Sequence, residues 1–306
     1  MVKYRVKIHA GYSRERKDKM NIAVVGLGLI GGSFCKALKA NTFHHIMGID
    51  ADHETEKKAL EQGAVDEIID ETRLGEANLT IVALYPVPTV EFVKNNADRF
   101  RKGSIVIDVG GVKGYVVSRC TPVLEEKGVY FLGTHPMAGT ENSGFDYSKP
   151  DMFVKASYIL TPTENTPQIV VDLVSTLGSC MGFGQVVIAT AEQHDINIAF
   201  TSQLAHVVSN AYVKSPSLLR ADGFSAGSFL DLTRVAKLNE EMWSSLFLCN
   251  KNALLFEINT IIEKLTEYRD AMVNDDKPTL KELLRVGRER KEESMKYYGQ
   301  EKALNG

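Results

Sequence analysis

Apolar residues along this chain change their spacing once. Up to about residue 188, short continuous apolar runs alternate with stretches whose apolar positions recur every three or four residues; beyond it only the second pattern remains. A short unbroken run marks a strand buried on both faces, and the three-to-four spacing marks a helix with one buried side. The runs at 21–25, 45–50, 79–84, 104–108, 129–132, 158–160 and 185–188 predict strands. Helices are predicted over 33–39 (Phe34, Ala37 and Leu38 on the buried side), from near Glu54, and over 90–96, 115–127 and 168–177. Such alternation is the signature of a doubly wound, mostly parallel α/β sheet. Past residue 189, Thr190-Ala-Glu-Gln193 reads as a capping box, in which the Thr hydroxyl and Gln amide satisfy free N–H groups. A long helix to Tyr212 should come next, with further helices over 230–238, 241–264 and 280–297. The expected organisation is an extension at 1–19, an α/β domain at 20–189 and an all-helical domain at 190–306.

The glycines Gly26-Leu27-Gly28-Leu29-Ile30-Gly31 stand between the first strand and the first helix. A Gly-rich turn alone means little, but in this context G-x-G-x-x-G is a Rossmann-type dinucleotide fingerprint. Gly26 allows the tight turn, Gly28 lets a pyrophosphate approach the backbone, and Gly31 lets helix and strand pack closely. The helix N-terminus adds free N–H groups and a positive dipole end. Asp50 ends the second strand, about 20 residues on, where a carboxylate accepts hydrogen bonds from ribose hydroxyls. A carboxylate there repels a 2′-phosphate, so the expected cofactor is NAD; the competing role for Asp50 is a helix N-cap. Tyr85, Pro86, Gly110 and Gly111 come just after later strand ends on the same ligand-binding side, and with Leu29 and Ile30 complete the expected cofactor contacts.

Composition narrows the class. The 306 residues are 44% hydrophobic and 25% charged, as in ordinary globular proteins, and the net charge of −3 provides no basic field for nucleic acid. Cys35, Cys120, Cys180 and Cys249 are scattered, with neither a C-x-x-C pair nor metal-ligand spacing, so reduced thiols and a cytoplasmic location are expected. No apolar run approaches the ~20 residues a bilayer span needs. The Arg-, Lys- and Glu-rich final stretch reads as a solvated helix face. Before Met20, seven Lys and Arg outweigh Glu15 and Asp18, while Val2, Tyr4, Val6 and Ile8 alternate with polar residues. A basic arm, an extra strand and a translated stretch ahead of a natural start at Met20 all fit; the last is the expectation.

Three segments of the chain carry candidate chemistry. His135 lies at a strand end on the ligand side, where a histidine is poised as a general base or merely caps a turn. Asp195, Ser202 and His206 share one face of the predicted 190–212 helix, a polar stripe that lines a site or faces water. Arg234 sits in an apolar helical run and needs a partner if buried: Asp231, Asp195 or a bound carboxylate.

With Gly26–Ser33, Asp108-Val-Gly-Gly-Val-Lys-Gly114, His135-Pro-Met-Ala-Gly139, Glu192-Gln-His-Asp195, Ser202-Gln-Leu-Ala-His206 and Asp231-Leu-Thr-Arg-Val-Ala236 in this order, the span from Met20 to about Arg290 resembles the prephenate/arogenate dehydrogenases. The resemblance implies NAD-dependent oxidative decarboxylation of prephenate to 4-hydroxyphenylpyruvate, in tyrosine biosynthesis. It implies His135 as acceptor of the ring hydroxyl's proton and Arg234 as holder of a substrate carboxylate. Ser202 and His206 would line the pocket, Asp195 would orient Arg234, Glu141 would lie on a gating loop, and Trp243 would help close the site. It also implies a homodimer formed through the helical domain. The family often carries a serine that hydrogen-bonds the histidine where this chain has Gly111, so a backbone group, a water or another side chain must orient His135 here. Arogenate as substrate, a non-catalytic dinucleotide sensor and a β-hydroxyacid dehydrogenase are the alternatives; the last relies on a helical-domain lysine where this chain offers histidine.

Overall fold

The computed structural model describes residues 19–140, 142–220 and 223–305; all but the last residue of the extension at 1–19, and Glu141, lie outside it. Asn21–Val25 (β1), His45–Ile49 (β2), Glu67–Ile68 (β3), Leu79–Val82 (β4), Ile105–Asp108 (β5), Tyr130–Pro136 (β6), Ser157–Thr161 (β7) and Gln185–Ile188 (β8) form one sheet, ordered β3-β2-β1-β4-β5-β6-β7-β8. All neighbours run parallel except β6 and β7. Parallel pairing demands crossovers, which Leu29–Asn41 (α1), His53–Glu61 (α2), Pro86–Asn95 (α3) and Gly114–Glu126 (α4) supply, with Gln168–Cys180 (α5) between β7 and β8. The strand order reverses between β1 and β4, which opens the crevice where such sheets bind ligands.

The continuous apolar runs are explained by burial on both faces. Ile22, Val24, Leu79, Ile81, Phe34 and Tyr158 belong to one core layer; Ala23, Val25, Val82, Val106, Phe131 and Leu124 belong to the other. Tyr158 and Phe183 stack at 4.4 Å between ring centroids in the first layer.

Several boundaries differ from the sequence expectation for definable reasons. Helix α1 starts at Leu29, inside the glycine motif, because Gly31 has no Cβ: one would lie 1.8 Å from the Gly26 carbonyl oxygen. Two-residue β3 carries no periodicity to read. Helix α3 begins at Pro86, whose fixed φ suits a first helical position. Strand β6 runs on through His135 to Pro136; β5 stops pairing at Gly133, so the proline sits where β6 has a neighbour on one side only.

After β8 all described elements are helical: Ala191–Ile198 (α6), Leu204–Tyr212 (α7), Gly227–Thr233 (α8), Glu240–Cys249 (α9), Lys251–Val273 (α10) and Lys277–Asn305 (α11). The capping box at Thr190 and Gln193 is present. The single helix expected to Tyr212 is instead divided by a π-helical turn at Ala199–Gln203. That wider turn rotates α7 relative to α6, so a face drawn at 100° per residue does not carry across it. The helix expected over 241–264 is likewise two helices, broken at Asn250, whose side chain donates to the Asp195 carbonyl and to Gln203 Oε1. By packing, the chain forms two compact units, the first ending at Leu254 and the second beginning at Leu255. No helix among the described residues is long and apolar enough to cross a membrane.

Candidate active site

The loop from β1 to α1 has the geometry a pyrophosphate requires. Gly26 has φ +85°, a conformation that disfavours a side chain, and its missing Cβ would also strike the Ala83 carbonyl at 2.6 Å. Around Gly28, by contrast, an added Cβ meets nothing within 4 Å, so the backbone is open to a ligand. No side chain caps the N-terminus of α1, which leaves the first-turn N–H groups of Leu29 and Ile30 for an anion. Asp50, just past β2, accepts hydrogen bonds from the Leu27 N–H at 2.6 Å and the Asp52 N–H at 2.9 Å. The carboxylate is thereby fixed beside the glycine loop with lone pairs to spare. The competing N-cap role falls to Asp52, which accepts from the Glu54 N–H. Tyr85 is the residue before α3 and is 46% exposed beside the buried Pro86. These residues fit a dinucleotide.

Between β5 and α4 the backbone is held by a buried ion pair. Lys113 is fully buried, and its Nζ donates to Asp108 Oδ2 and to the Thr134 carbonyl. Asp108 Oδ2 also accepts from the Gly110 N–H at 2.9 Å. Burial pushes the Asp108 carboxyl up and the Lys113 ammonium down, each opposed by the attraction of the other. This pair fixes the Gly110–Gly111 turn and, through Thr134, the strand position next to His135.

His135 Nδ1 lies 2.8 Å from His194 Nε2, and His194 Nδ1 lies 2.7 Å from Asp195 Oδ1. The same carboxylate accepts the Lys113 N–H at 2.8 Å and the Gly114 N–H at 2.7 Å, so α6 caps the start of α4. Gly114 is the residue that allows this, since a Cβ there would lie 2.8 Å from Asp195 Oδ2. Burial, with the adjacent His194 and Lys113 reinforcing it, holds His135 well below the ordinary histidine range. Burial also lowers His194, against the hydrogen bond it donates to Asp195. On the other edge of the His135 ring, Nε2 would lie 3.8 Å from a Cβ on Gly111, so the missing serine side chain leaves ordinary contact space there.

The remaining candidates separate. His206 Nδ1 donates to the Ser202 carbonyl at 2.8 Å, and its ring lies over Trp243 at 4.0 Å between centroids. His206, Ser202 and Trp243 therefore come together, whereas Asp195 points to the start of α4. The expectation that Asp195 orients Arg234 is corrected: its carboxylate is taken up by Lys113, Gly114 and His194. Arg234 is not buried in an apolar run but exposed at the end of α8, and among the described residues it forms no ion pair with Asp195 or Asp231. Glu141 lies outside the described residues. Sequence reasoning passed over His194 although it stands beside Asp195, because its partner is 59 positions away on β6.

A glycine loop at the switch point of a mostly parallel sheet, with a histidine at the end of a nearby strand, defines a Rossmann-type nucleotide-binding oxidoreductase. Residues 34–186 match the prephenate dehydrogenase nucleotide-binding domain, and residues 190–286 match the prephenate dehydrogenase dimerization domain. The chain belongs to the prephenate dehydrogenase family, among enzymes rather than non-catalytic sensors. It is 32% identical over 276 residues to prephenate dehydrogenase of Bacillus subtilis (strain 168), covering 86% of this chain and 72% of that protein. Prephenate dehydrogenase from A. aeolicus, solved with hydroxyphenyl propionate and NAD+, superposes with a TM-score of 0.81 at 29% identity, over 91% of this chain and 99% of that one. Synechocystis arogenate dehydrogenase superposes with a TM-score of 0.77 at 28% identity, over 91% and 100%.

Proposed function

We propose that this chain is an NAD-dependent dehydrogenase that converts prephenate to 4-hydroxyphenylpyruvate and CO2. The observation that carries the reading is His135, its pKa held down chiefly by burial, with Nε2 beside Gly111 on the ligand side of the sheet. Gly26, Gly28, Leu29, Ile30 and Gly31 hold the pyrophosphate, Asp50 takes the ribose hydroxyls, and Tyr85, Pro86, Gly110 and Gly111 flank the rest of the cofactor. Bound NAD+ supplies the hydride acceptor. His135 Nε2 accepts the hydrogen bond of the ring hydroxyl and takes its proton as the C–H bond at that carbon gives up its electron pair. Loss of the ring carboxylate as CO2 then leaves an aromatic phenol, which makes the step irreversible. The exposed guanidinium of Arg234 holds a substrate carboxylate bidentately, with Ser202 and His206 on the pocket wall. The helices from α10 onward join two copies into a homodimer.

Arogenate, which carries an amino group where prephenate has a keto group, is the second reading, supported by the likeness to the Synechocystis protein. Purified protein mixed with NAD+ and either acid, with NADH followed by absorbance, tests both. The expected result is turnover with the higher kcat/KM on prephenate, and His135→Asn should lower kcat by about 10²–10⁴-fold while NAD+ still binds. Absence of NADH with both acids would sink the proposal.

A further inference from the structure

A neutral imidazole offers one donor and one acceptor nitrogen, and only its acceptor can take a proton. In water the ring prefers to carry its hydrogen on Nε2, which for His135 would place a donor at the Gly111 edge and leave the base without its lone pair. The hydrogen-bond chain behind His135 runs the other way. Asp195 receives two backbone N–H bonds, from Lys113 on Oδ1 and from Gly114 on Oδ2, so both of its carboxylate oxygens are acceptors. His194 Nδ1 must therefore be the donor in the 2.7 Å contact with Asp195. His194 is 2% exposed and burial disfavours its charged form, so with its hydrogen on Nδ1 its Nε2 is an acceptor. The 2.8 Å contact from His194 Nε2 to His135 Nδ1 is then filled only if His135 carries its hydrogen on Nδ1.

We infer that His194, backed by Asp195, is the positioning residue that selects the Nδ1–H form of His135 and so turns its Nε2 lone pair toward the substrate. The inference rests on His135 being the base and names the side chain that orients it where Gly111 has no hydroxyl. The same chain stabilises the product of proton uptake. Once Nε2 is protonated, the imidazolium donates from Nδ1 to His194, whose own Nδ1–H is held by the Asp195 carboxylate. No atom changes hands beyond the one proton gained at His135 Nε2. Asp195 is itself anchored on two successive backbone N–H groups, and its carbonyl is held by Asn250, so the chain ends on a fixed point rather than a mobile side chain.

The test is nitrogen NMR of free protein labelled with 15N-histidine, with His135 assigned by its loss in His135→Asn. We expect two-bond correlations of an Nδ1–H tautomer for His135 in the unmutated protein. In His194→Phe, which keeps an aromatic ring and removes both bonds, His135 should revert to the Nε2–H form. There kcat should fall roughly 10²-fold or more while the Kd for NAD+ stays within about twofold. An Nε2–H His135 in the unmutated protein overturns the inference, as does a His194→Phe protein that keeps both the Nδ1–H form and its kcat. If His194→Phe does not fold, the tautomer of the unmutated protein decides alone. Because the tautomer is read without substrate, its failure is distinct from a failure to oxidise prephenate or arogenate.

Discussion

At the scale of single residues, the site depends on keeping two imidazoles uncharged. Burial lowers His135 and His194, and the positive charge of Lys113 lowers them further. The acid limb of kcat/KM reports the base of the free enzyme, so it should lie below pH ~6.5, the ordinary histidine value. With prephenate, kcat/KM should stay level from pH 8 down past that value; a limb centred at or above 6.5 contradicts His135 as the base. The same shifts bear on stability. Below about pH 6.5 the unfolded chain takes up protons at these histidines and the native protein does not. Their contribution is therefore fully present above ~6.5 and declines as the pH falls toward the lowered native values. Thermal unfolding between pH 7.5 and 5 should show Tm decreasing toward the acid end. Gly111 marks the same point sterically: its surroundings would accept a side chain, so the absence of the family serine is a choice of how to orient His135 and not a packing demand.

Secondary-structure elements show which features were legible in the chain and which were not. Strands β1, β2, β4 and β5 were readable because both faces are buried, so their apolar runs are continuous; β8 was bounded by clear turn residues. The glycine loop and Asp50 were readable because strand, loop and helix give the motif its context. The break at Asn250 and the π-helical turn were not, since apolar residues recur at helical spacing straight through both. Their cause is a tertiary bond that no local pattern carries: Asn250, 6% exposed, donates to the Asp195 carbonyl and to Gln203 Oε1, 47 to 55 positions away. This tie sets the α9–α10 junction against the π-helical turn and steadies the carboxylate behind His194. Asn250→Ala leaves the Gln203 oxygen buried without its donor, which costs about 1–3 kcal/mol. Urea unfolding should show a loss of that size with m unchanged, and an unaltered midpoint would mean the tie is incidental. Arg234 shows the opposite limit: the apolar letters around it suggested burial, but Leu230 and Leu232 beside it are themselves 61% and 42% exposed.

At the scale of the whole molecule, the second compact unit bears an apolar stripe that the proposed homodimer would cover. It consists of the rest of α10 and all of α11, and α10 carries Leu255, Ile258, Ile262, Leu265 and Met272 at alternating steps of three and four, with Arg269 interrupting the series. That heptad spacing gathers them into one stripe, the arrangement that packs against another helix. In the single chain Leu255 is 43% exposed, Ile262 54%, Leu265 61% and Met272 58%, so the stripe is left facing solvent. At about 25 cal/mol per Å2 of apolar surface, burying the exposed half of such side chains brings on the order of 1 kcal/mol each. A second copy packed on this stripe, as proposed above, would supply that burial, and the match of residues 190–286 to a dimerization domain agrees with it. Sedimentation velocity should therefore give a dimer of the 33.9 kDa chain. Ile262→Glu together with Leu265→Glu puts two charges in the stripe and should shift the population to monomer. NAD+ binding should survive, because the phosphate loop and Asp50 lie on β1, α1 and β2 in the other unit. A doubly substituted protein that still sediments as a dimer would place the interface elsewhere than on this face of α10.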